Sequence, residues 1–494
     1  MKRFISIILI LSLVLGCFCA CGKENNDDED DLNAGGETTV STGNLKLSYS
    51  RSDSLNPFNC KTVINLQITG LIYDGLFKLD STYEPQPSIA KSSIISGRTI
   101  NVTLDDVLFS DGSSLTAEDV VYSYNIAKES DNYSSSLSNF KSVSVSSSNM
   151  LMFVLENADP YAISCLNFPI IKSGSYSETE DEETYPIGSG RYMLASDGDD
   201  KYLIVNTNKT AFNPAIKTIY LEPVHDSDSA ESSIVIGNTA FFYDELSDGA
   251  YSRINANSKD LGINNLVYLG FNSSCPFFED SNIRQALSLA IDRVSICTGA
   301  FSNHARASVL PFNPDWYALK SYTSSNDYSL EKAKSLVEES EIDTQSRELT
   351  LLYNKENEFK SEAAKDIEEY LEKLGFIVRL SGVESQYFQS EVENGNYDLY
   401  LGEVKLPYNM DLEALFNGDS SYGYASVSES AEKYNDFLSD NCEIMDFINT
   451  FNSDMPLIPI CFRNAVVSYT NAISGDFNCS EADVYYDIET WSIK

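Results

Sequence analysis

The sequence predicts an α/β protein built from more than one lobe. Three observations carry this. The chain has 494 residues, more than one hydrophobic core organises, which points to two or three lobes. Short segments of period-two alternation are interleaved with longer segments of helical spacing. From Leu266 onward the order is strand, helix, strand, helix, strand, the pattern of an α/β layer arrangement.

Taken in order, Leu45 to Ser50 sets Leu45, Leu47 and Tyr49 on one face as a strand, and Asp53-Ser-Leu-Asn-Pro-Phe58 breaks it. Leu66 to Phe77 is apolar and reads as a helix ending near Gly75. Arg98 to Leu104 is a strand with Ile100, Val102 and Leu104 inward, and Ser110-Asp-Gly-Ser is a turn. Thr116-Ala-Glu-Asp119 opens a helix as a capping box, because the Thr hydroxyl and the Asp carboxylate can meet free backbone N–H groups. Val120, Val121, Tyr124, Ile126 and Ala127 continue its apolar face. Met150 to Leu155 is a strand, Ser173 to Thr184 a polar acidic loop, and Leu203 to Val205 and Ile219 to Leu221 are strands. A strand restarts at Leu266 to Phe271. Asp280 to Asp292 is a helix with Asp280 as cap and Ile283, Leu287, Ala290 and Ile291 on one face. Tyr328 to Glu338 and Lys360 to Leu374 are amphipathic helices. Leu349 to Tyr353, Ile377 to Leu380 and Tyr397 to Gly402 are strands.

Composition removes several function classes. Lys plus Arg total 34 against 74 Asp plus Glu, a net charge of −40. Such a surface repels nucleic acid and anionic headgroups, so nucleic-acid binding is excluded. The two histidines, His225 and His304, lie far apart, without HExxH or Cys/His ligand spacing. No side-chain metal site and no cofactor are expected. There is no Gly-x-Ser-x-Gly elbow, and neither His has a nucleophile context, so no catalytic residues are assigned. The 30 Tyr, many beside Ser and Asn, suit either a ligand-gripping surface or half-buried strands. Cys60, Cys165, Cys275, Cys297, Cys442, Cys461 and Cys479 are scattered and odd in number, and read as small buried apolar residues.

The N-terminus has the form of an export signal. Lys2 and Arg3 precede an apolar run from Phe4 to Leu15, too short to span a membrane comfortably. Gly16-Cys17 and Ala20-Cys21 follow. These resemble the lipobox of bacterial lipoproteins, so residues 1–21 are expected to be a signal peptide and Cys21 (or Cys17) the lipidated residue. Residues 22–43 are acidic and Gly/Thr-rich, the composition of a disordered tether. A coil of that length reaches roughly 25 Å.

Several signatures stand in a fixed order: Tyr73-Asp-Gly-Leu-Phe77, Glu84-Pro-Gln-Pro-Ser-Ile-Ala-Lys91, Phe109-Ser-Asp-Gly112, and Leu115-Thr-Ala-Glu-Asp-Val-Val-Tyr-Ser123. Pro186-Ile-Gly-Ser-Gly-Arg-Tyr192, Phe271-Asn-Ser-Ser-Cys-Pro-Phe277, Arg284 to Asp292 and Tyr397-Asp-Leu-Tyr400 follow. The series resembles the peptide- and nickel-binding solute-binding proteins of ABC importers, family 5. The resemblance implies a two-lobed, periplasmic-binding-protein-like (type II) hinge fold with an extra α/β domain inserted in the N-terminal lobe. Lobe I would take 44–76, 190–265 and 470–494, the inserted domain 77–189, and lobe II 266–469. It further implies a monomer on the extracytoplasmic face, anchored to the membrane by lipid. That monomer would enclose a small ligand, most readily a short peptide, and deliver it to permease and ATPase subunits. A sensor of peptide signals, or a binder of a metal chelate, would use the same clamp. Most of the signatures are read as scaffold: Arg284 and Asp292 are expected to hold a helix in place.

In peptide-binding members the ligand backbone adds to extended protein segments. The matching segments would be near Asn56 to Thr62, with Asn56 and Phe58, and near Leu401 to Leu406. Members that take short peptides place an Asp after the second segment for the ligand's amino terminus. This chain reads Leu401-Gly-Glu-Val-Lys-Leu-Pro-Tyr-Asn-Met-Asp411 instead. Glu403 or Asp411 would then meet the ammonium, with Tyr408 and Asn409 between them, or Glu403 only packs. Trp316 either lines the cleft or fills a core.

Overall fold

The computed structural model describes residues 44–177, 185–322, 328–340, 343–344, 347–416 and 423–494. The leader 1–21 with Cys17 and Cys21, the segment 22–43 up to Gly43, and residues 178–184 of the acidic loop lie outside the described residues. Among the described residues no helix is long and apolar enough to cross a membrane.

Strand β1 (Leu45–Ser50) buries Leu45, Leu47 and Tyr49, as the alternation predicts. The helix Val63–Ile72 follows, with the Thr62 hydroxyl accepting from the Asn65 N–H. The expected helix from Leu66 to Phe77 is corrected here: it ends at Ile72, and Phe77–Leu79 is strand β2, paired with β3 (Pro85–Pro87). The reason is steric. At Gly75 the chain runs so close to a neighbouring backbone that a Cβ would lie 2.5 Å from the Asn167 carbonyl oxygen.

Strands β4 (Ala90–Ser96), β5 (Thr99–Leu104), β6 (Phe140–Ser147) and β7 (Met150–Leu155) form an antiparallel sheet in the order β4-β5-β7-β6. The helix Ala117–Glu129 lies in the same core, with Val120, Tyr124 and Ala127 buried alongside Ile100, Val102, Leu151 and Phe153. Its start is the expected capping box: Asp119 accepts from the Thr116 backbone N–H and hydroxyl, each at 2.8 Å. This is the inserted α/β domain.

Strands β8 (Tyr192–Asp197), β9 (Asp200–Val205), β10 (Thr218–Val224) and β11 (Phe241–Asp244) complete the first lobe around β1. Strand β1 pairs in parallel with β10 from Leu45↔Ile219 to Ser50↔Val224. The C-terminal segment returns to this core. Val484, Ile488 and Trp491 are buried in it, and the Arg191 guanidinium grips Asp483 at 2.8 and 2.9 Å.

Strand β12 (Asn257–Phe271) begins well before the Leu266 that the pattern suggested. Its first four residues are exposed and polar, so they carry no periodic signal. In the second lobe, β13 (Ala305–Ala307), β14 (Glu348–Asn354), β15 (Ile377–Val383), β16 (Leu399–Lys405) and β17 (Leu457–Tyr469) extend the same sheet. The strand order is β15-β14-β16-β12-β17-β11-β1-β10-β9-β8, with β13 beside β17. The expected Asp280–Asp292 helix is Ser281–Ala290 with Asp280 as its cap. Asp292 instead caps a second short helix, Arg293–Thr298, accepting from the Ser295 N–H at 3.1 Å. The helices Leu330–Glu339 and Glu358–Glu372 lie where their spacing put them.

Two large hydrophobic cores and a small cluster of Val224, Ala230, Ile234 and Phe242 result, and among the described strands only β12 and β17 run through both large cores. Leu261 and Ile263 of β12 belong to the first core, and Leu266 to Phe271 to the second. On β17, Leu457 to Phe462 belong to the second core and Ala465 and Val467 to the first. Between them the register slips, from Gly262↔Asn464 to Leu266↔Phe462. Ile263 to Asn265 thus bulge opposite Arg463, and the lobes are joined at this irregularity.

Candidate ligand-binding cleft

The lobes meet across the junction along several contacts. Asn409 Nδ2 donates to Asp159 at 2.7 Å, and the Tyr317 N–H donates to the Thr82 carbonyl at 3.0 Å. Lys320 lies 2.6 Å from Glu84, and Tyr408 stacks on Tyr83 with ring centroids 6.1 Å apart. Between them a cavity of about 450 Å³ remains. The first lobe gives it part of the helix Val63–Ile72 with Tyr73, Asp74 and Gly75, and the C-terminal Glu481 to Asp483, and Phe77, Lys78 and Leu79 of β2 join them. The inserted domain gives Asp131 to Tyr133, Ser135, Ser136 and Asn167, and the second lobe gives Lys405 to Tyr408. A second hollow of about 830 Å³, walled by Phe58 to Lys61 and Tyr176, shares Asp131 and Asn132 with it.

Most charges lining the cavity are already matched. Lys405 sits 2.8 Å from Glu481 and 3.3 Å from Glu245, and these carboxylates raise its pKa against the opposing effect of burial. Glu481 also accepts from the Asn264 N–H of the junction bulge at 2.9 Å. Asp74, almost fully buried, takes Lys209 at 2.5 Å and Lys78 at 3.4 Å. Burial alone would raise the Asp74 pKa, but Lys78 and Lys209 bring it below the usual carboxylate value.

The expected site residues fall in different places. Tyr408 lines the cavity, and burial raises its hydroxyl pKa. Phe58 is buried behind it, edge-on to Tyr133 (5.9 Å) and Tyr176 (6.0 Å). Asn56 is buried too, its side chain accepting from the Phe58 N–H at 3.1 Å. The segment Asn56–Cys60 is therefore a turn, closed by Asn59 and Cys60 N–H bonds to the Asn56 carbonyl, and not the extended edge expected there. The second expected segment is extended: β16 pairs with β12 along its whole length but with β14 only at Leu399 and Tyr400.

Trp316, Asn409 and Asp411 gather at a contact between the lobes, where only about 10 Å³ is left open. Trp316 is 1% exposed, with Tyr161 of the inserted domain 4.5 Å away, so it fills a core. The Asp411 carboxylate is taken by the Tyr434 hydroxyl at 2.6 Å. Glu403 does not line the cavity. It is held by Arg463 (2.7 Å), Lys360 (2.8 Å) and Asn265 (2.8 Å), which ties β16 to the junction. Sequence reasoning missed Lys78, Asp131, Lys405 as a cavity residue, and Glu481. Asp74 and Lys78 stand in and beside the Tyr73–Phe77 signature. Glu481 had no signal, because its partners are remote in the chain.

Two lobes joined by crossing strands, with a cavity of mixed polar and apolar lining at the junction, define the class of extracytoplasmic solute-binding proteins. Residues 84–426 match the family described as bacterial extracellular solute-binding proteins, family 5 Middle, and the chain belongs to it. The oligopeptide-binding protein AppA of Bacillus subtilis (strain 168) is 23% identical over 428 residues, covering 80% of this chain and 78% of that one. Its structure in complex with a nonapeptide superposes with a TM-score of 0.60 at 22% identity, covering 92% and 99% of the two chains. CtaP of Listeria monocytogenes superposes at 0.71 (22% identity, 91% and 99% covered). NikZ of Campylobacter jejuni in complex with Ni(L-His) superposes at 0.61 (17% identity, 91% and 99% covered). These are substrate-binding proteins and not enzymes, and the chain shares their fold.

Proposed function

We propose that this protein captures a short peptide between its lobes and delivers it to the permease and ATPase subunits of an ABC importer. It acts as a monomer held at the outer face of the membrane by lipid on Cys21, or on Cys17. The observation that carries this reading is the cavity of about 450 Å³ between the lobes, within the roughly 300–1,000 Å³ of small-ligand sites. Its walls mix Tyr rings with Asn, Gln and Ser groups, and β16, which β14 pairs only at Leu399 and Tyr400, reaches the cavity at Lys405. The peptide ligand of AppA supports the same choice. A non-peptide solute is the second reading. It is favoured by one feature: the second lobe brings Lys405 to Tyr408 to the cavity and no acid.

Native mass spectrometry of the form lacking residues 1–21, purified from rich medium, tests this. A ladder of added masses matching di- to pentapeptides is expected. A single discrete non-peptide mass, or no adduct after a peptide library is added, sinks the peptide reading and keeps the binding-protein fold.

A further inference from the structure

Among the described residues, Lys78 is the one cation lining the cavity that makes no hydrogen bond. An ammonium carries three N–H donors. Among the described residues Lys78 makes no hydrogen bond, and its closest partner is Asp74 Oδ1 at 3.4 Å. That oxygen is itself buried without a hydrogen bond. Asp74 spends its other oxygen on Lys209 at 2.5 Å. Lys405, by contrast, lies between two carboxylates.

The local charge count points the same way. The charges acting on Lys78 are Asp74 and Asp483 against Arg191 and Lys209, so with Lys78 itself three cations face two carboxylates. Arg191 is already taken in a two-pronged pair by Asp483. Within this group one positive charge is left over, although Asp131 and Glu481 also line the cavity, and burial, opposed by Asp74, lowers the Lys78 pKa. A cation removed from water is costly until a counter-charge reaches it. Position supports this role: Lys78 is held on β2, directly after the Gly75 close approach, and 27% of its side chain remains accessible in a stretch that lines the cavity.

We propose that Lys78 is a specificity-determining residue that receives a carboxylate of the bound ligand. This rests on the cavity being the ligand site. A peptide offers two sources, its terminal carboxylate or an Asp or Glu side chain, and the chemistry at Lys78 is the same for both. Apolar and purely cationic ligands are disfavoured, because they leave the charge unmatched.

The test uses the full chain in detergent, stripped of co-purified ligand, and reads bound fractions by native mass spectrometry. The probes are a tripeptide library as free acids, the same library C-terminally amidated, and succinate. A charge-assisted bond is expected to favour free acids over neutral amides by about 10- to 150-fold. Lys78→Met brings the two within about threefold, and Lys78→Arg keeps the preference, which a merely structural lysine would not do. Retention among the amides of only those bearing Asp or Glu places a side-chain carboxylate at Lys78; retention of none assigns the terminal one. Equal binding of acids and all amides by the unmodified protein overturns the role of Lys78 and leaves the peptide reading standing. Lys78-dependent binding of succinate without any tripeptide keeps Lys78 and overturns the peptide reading. No binding by any probe overturns both.

Discussion

Replacing Glu403 with Gln removes the negative charge between two cations at the lobe junction. Arg463 Nε and Asn265 Nδ2 donate to Oε1 at 2.7 and 2.8 Å, and Lys360 Nζ lies 2.8 Å from Oε2. Burial alone would raise this carboxyl, but Lys360 and Arg463 outweigh it and hold it at about 2, from an ordinary 4.5. At about 1.4 kcal/mol per pH unit, this corresponds to roughly 3 kcal/mol of stability. Because the folded-state value is the lower one, that contribution is complete above pH 4.5 and fades as pH falls toward 2. Glu403→Gln strands both cations in a largely buried site, and about 3–5 kcal/mol is expected to be lost at pH 7. The assay is urea unfolding followed by the fluorescence of Trp316 and Trp491, one in each core. Ligand affinity is measured alongside under conditions where both forms are folded. An earlier unfolding midpoint with affinity changed by less than about threefold is expected. Unchanged unfolding with a large loss of affinity would refute the reasoning and return Glu403 to the ligand.

Asp159 is expected to link closure to pH. Burial, opposed by the Asn409 contact and the Tyr161 N–H and reinforced by Asp411, raises it to about 6 when the lobes meet, and opening rehydrates it. Closure is then easier at lower pH, and ligand affinity should rise roughly tenfold from pH 7 to 5. Asp159→Asn should flatten the profile in calorimetric titrations at each pH. Gly75→Ala should drive a Cβ to 2.5 Å from the Asn167 carbonyl and cost about 1–3 kcal/mol in thermal melts. Gly75 and Asn167 both wall the cavity, so affinity should fall with it. Arg284→Lys should break a guanidinium clasp on Asp454 Oδ1 (2.7 Å) and on the carbonyls of Asp454 and Glu279. The expected loss is about 3–5 kcal/mol in urea unfolding, with the ligand affinity of the folded protein unchanged.

Elements with one face in a core and the other toward solvent were legible from the chain alone. Strands β1, β5 and β7 alternate, so Leu45, Ile100 and Leu151 announce themselves. Asp280 and Thr116 mark helix starts because their side chains meet backbone donors within one turn. Strand β17 left no such mark. It is buried from Leu457 to Ser468, so it has no polar phase, and Pro459 argues against a central strand. Pro459 is tolerated because it faces Tyr268 at a register shift. The helices Ser227–Val235, Ser385–Asn394, Glu429–Leu438 and Ile444–Asp454 were not read either.

By itself the sequence determined the α/β class, the acidic surface, the positions of several amphipathic elements and, through an ordered series of signatures, the family. Those are local or compositional properties, fixed by neighbours a few residues apart. Only the tertiary structure decided which charges line the cavity and which are spent elsewhere. Glu403 and Asp411 stood where an ammonium partner was expected, but Lys360, Arg463 and Tyr434 reach them first. Lys405 finds Glu481, and Asp74 finds Lys209, across separations that carry no periodic signal. A charge is free or spent according to what lies within a few ångströms of it, and that distance is set by how the lobes pack.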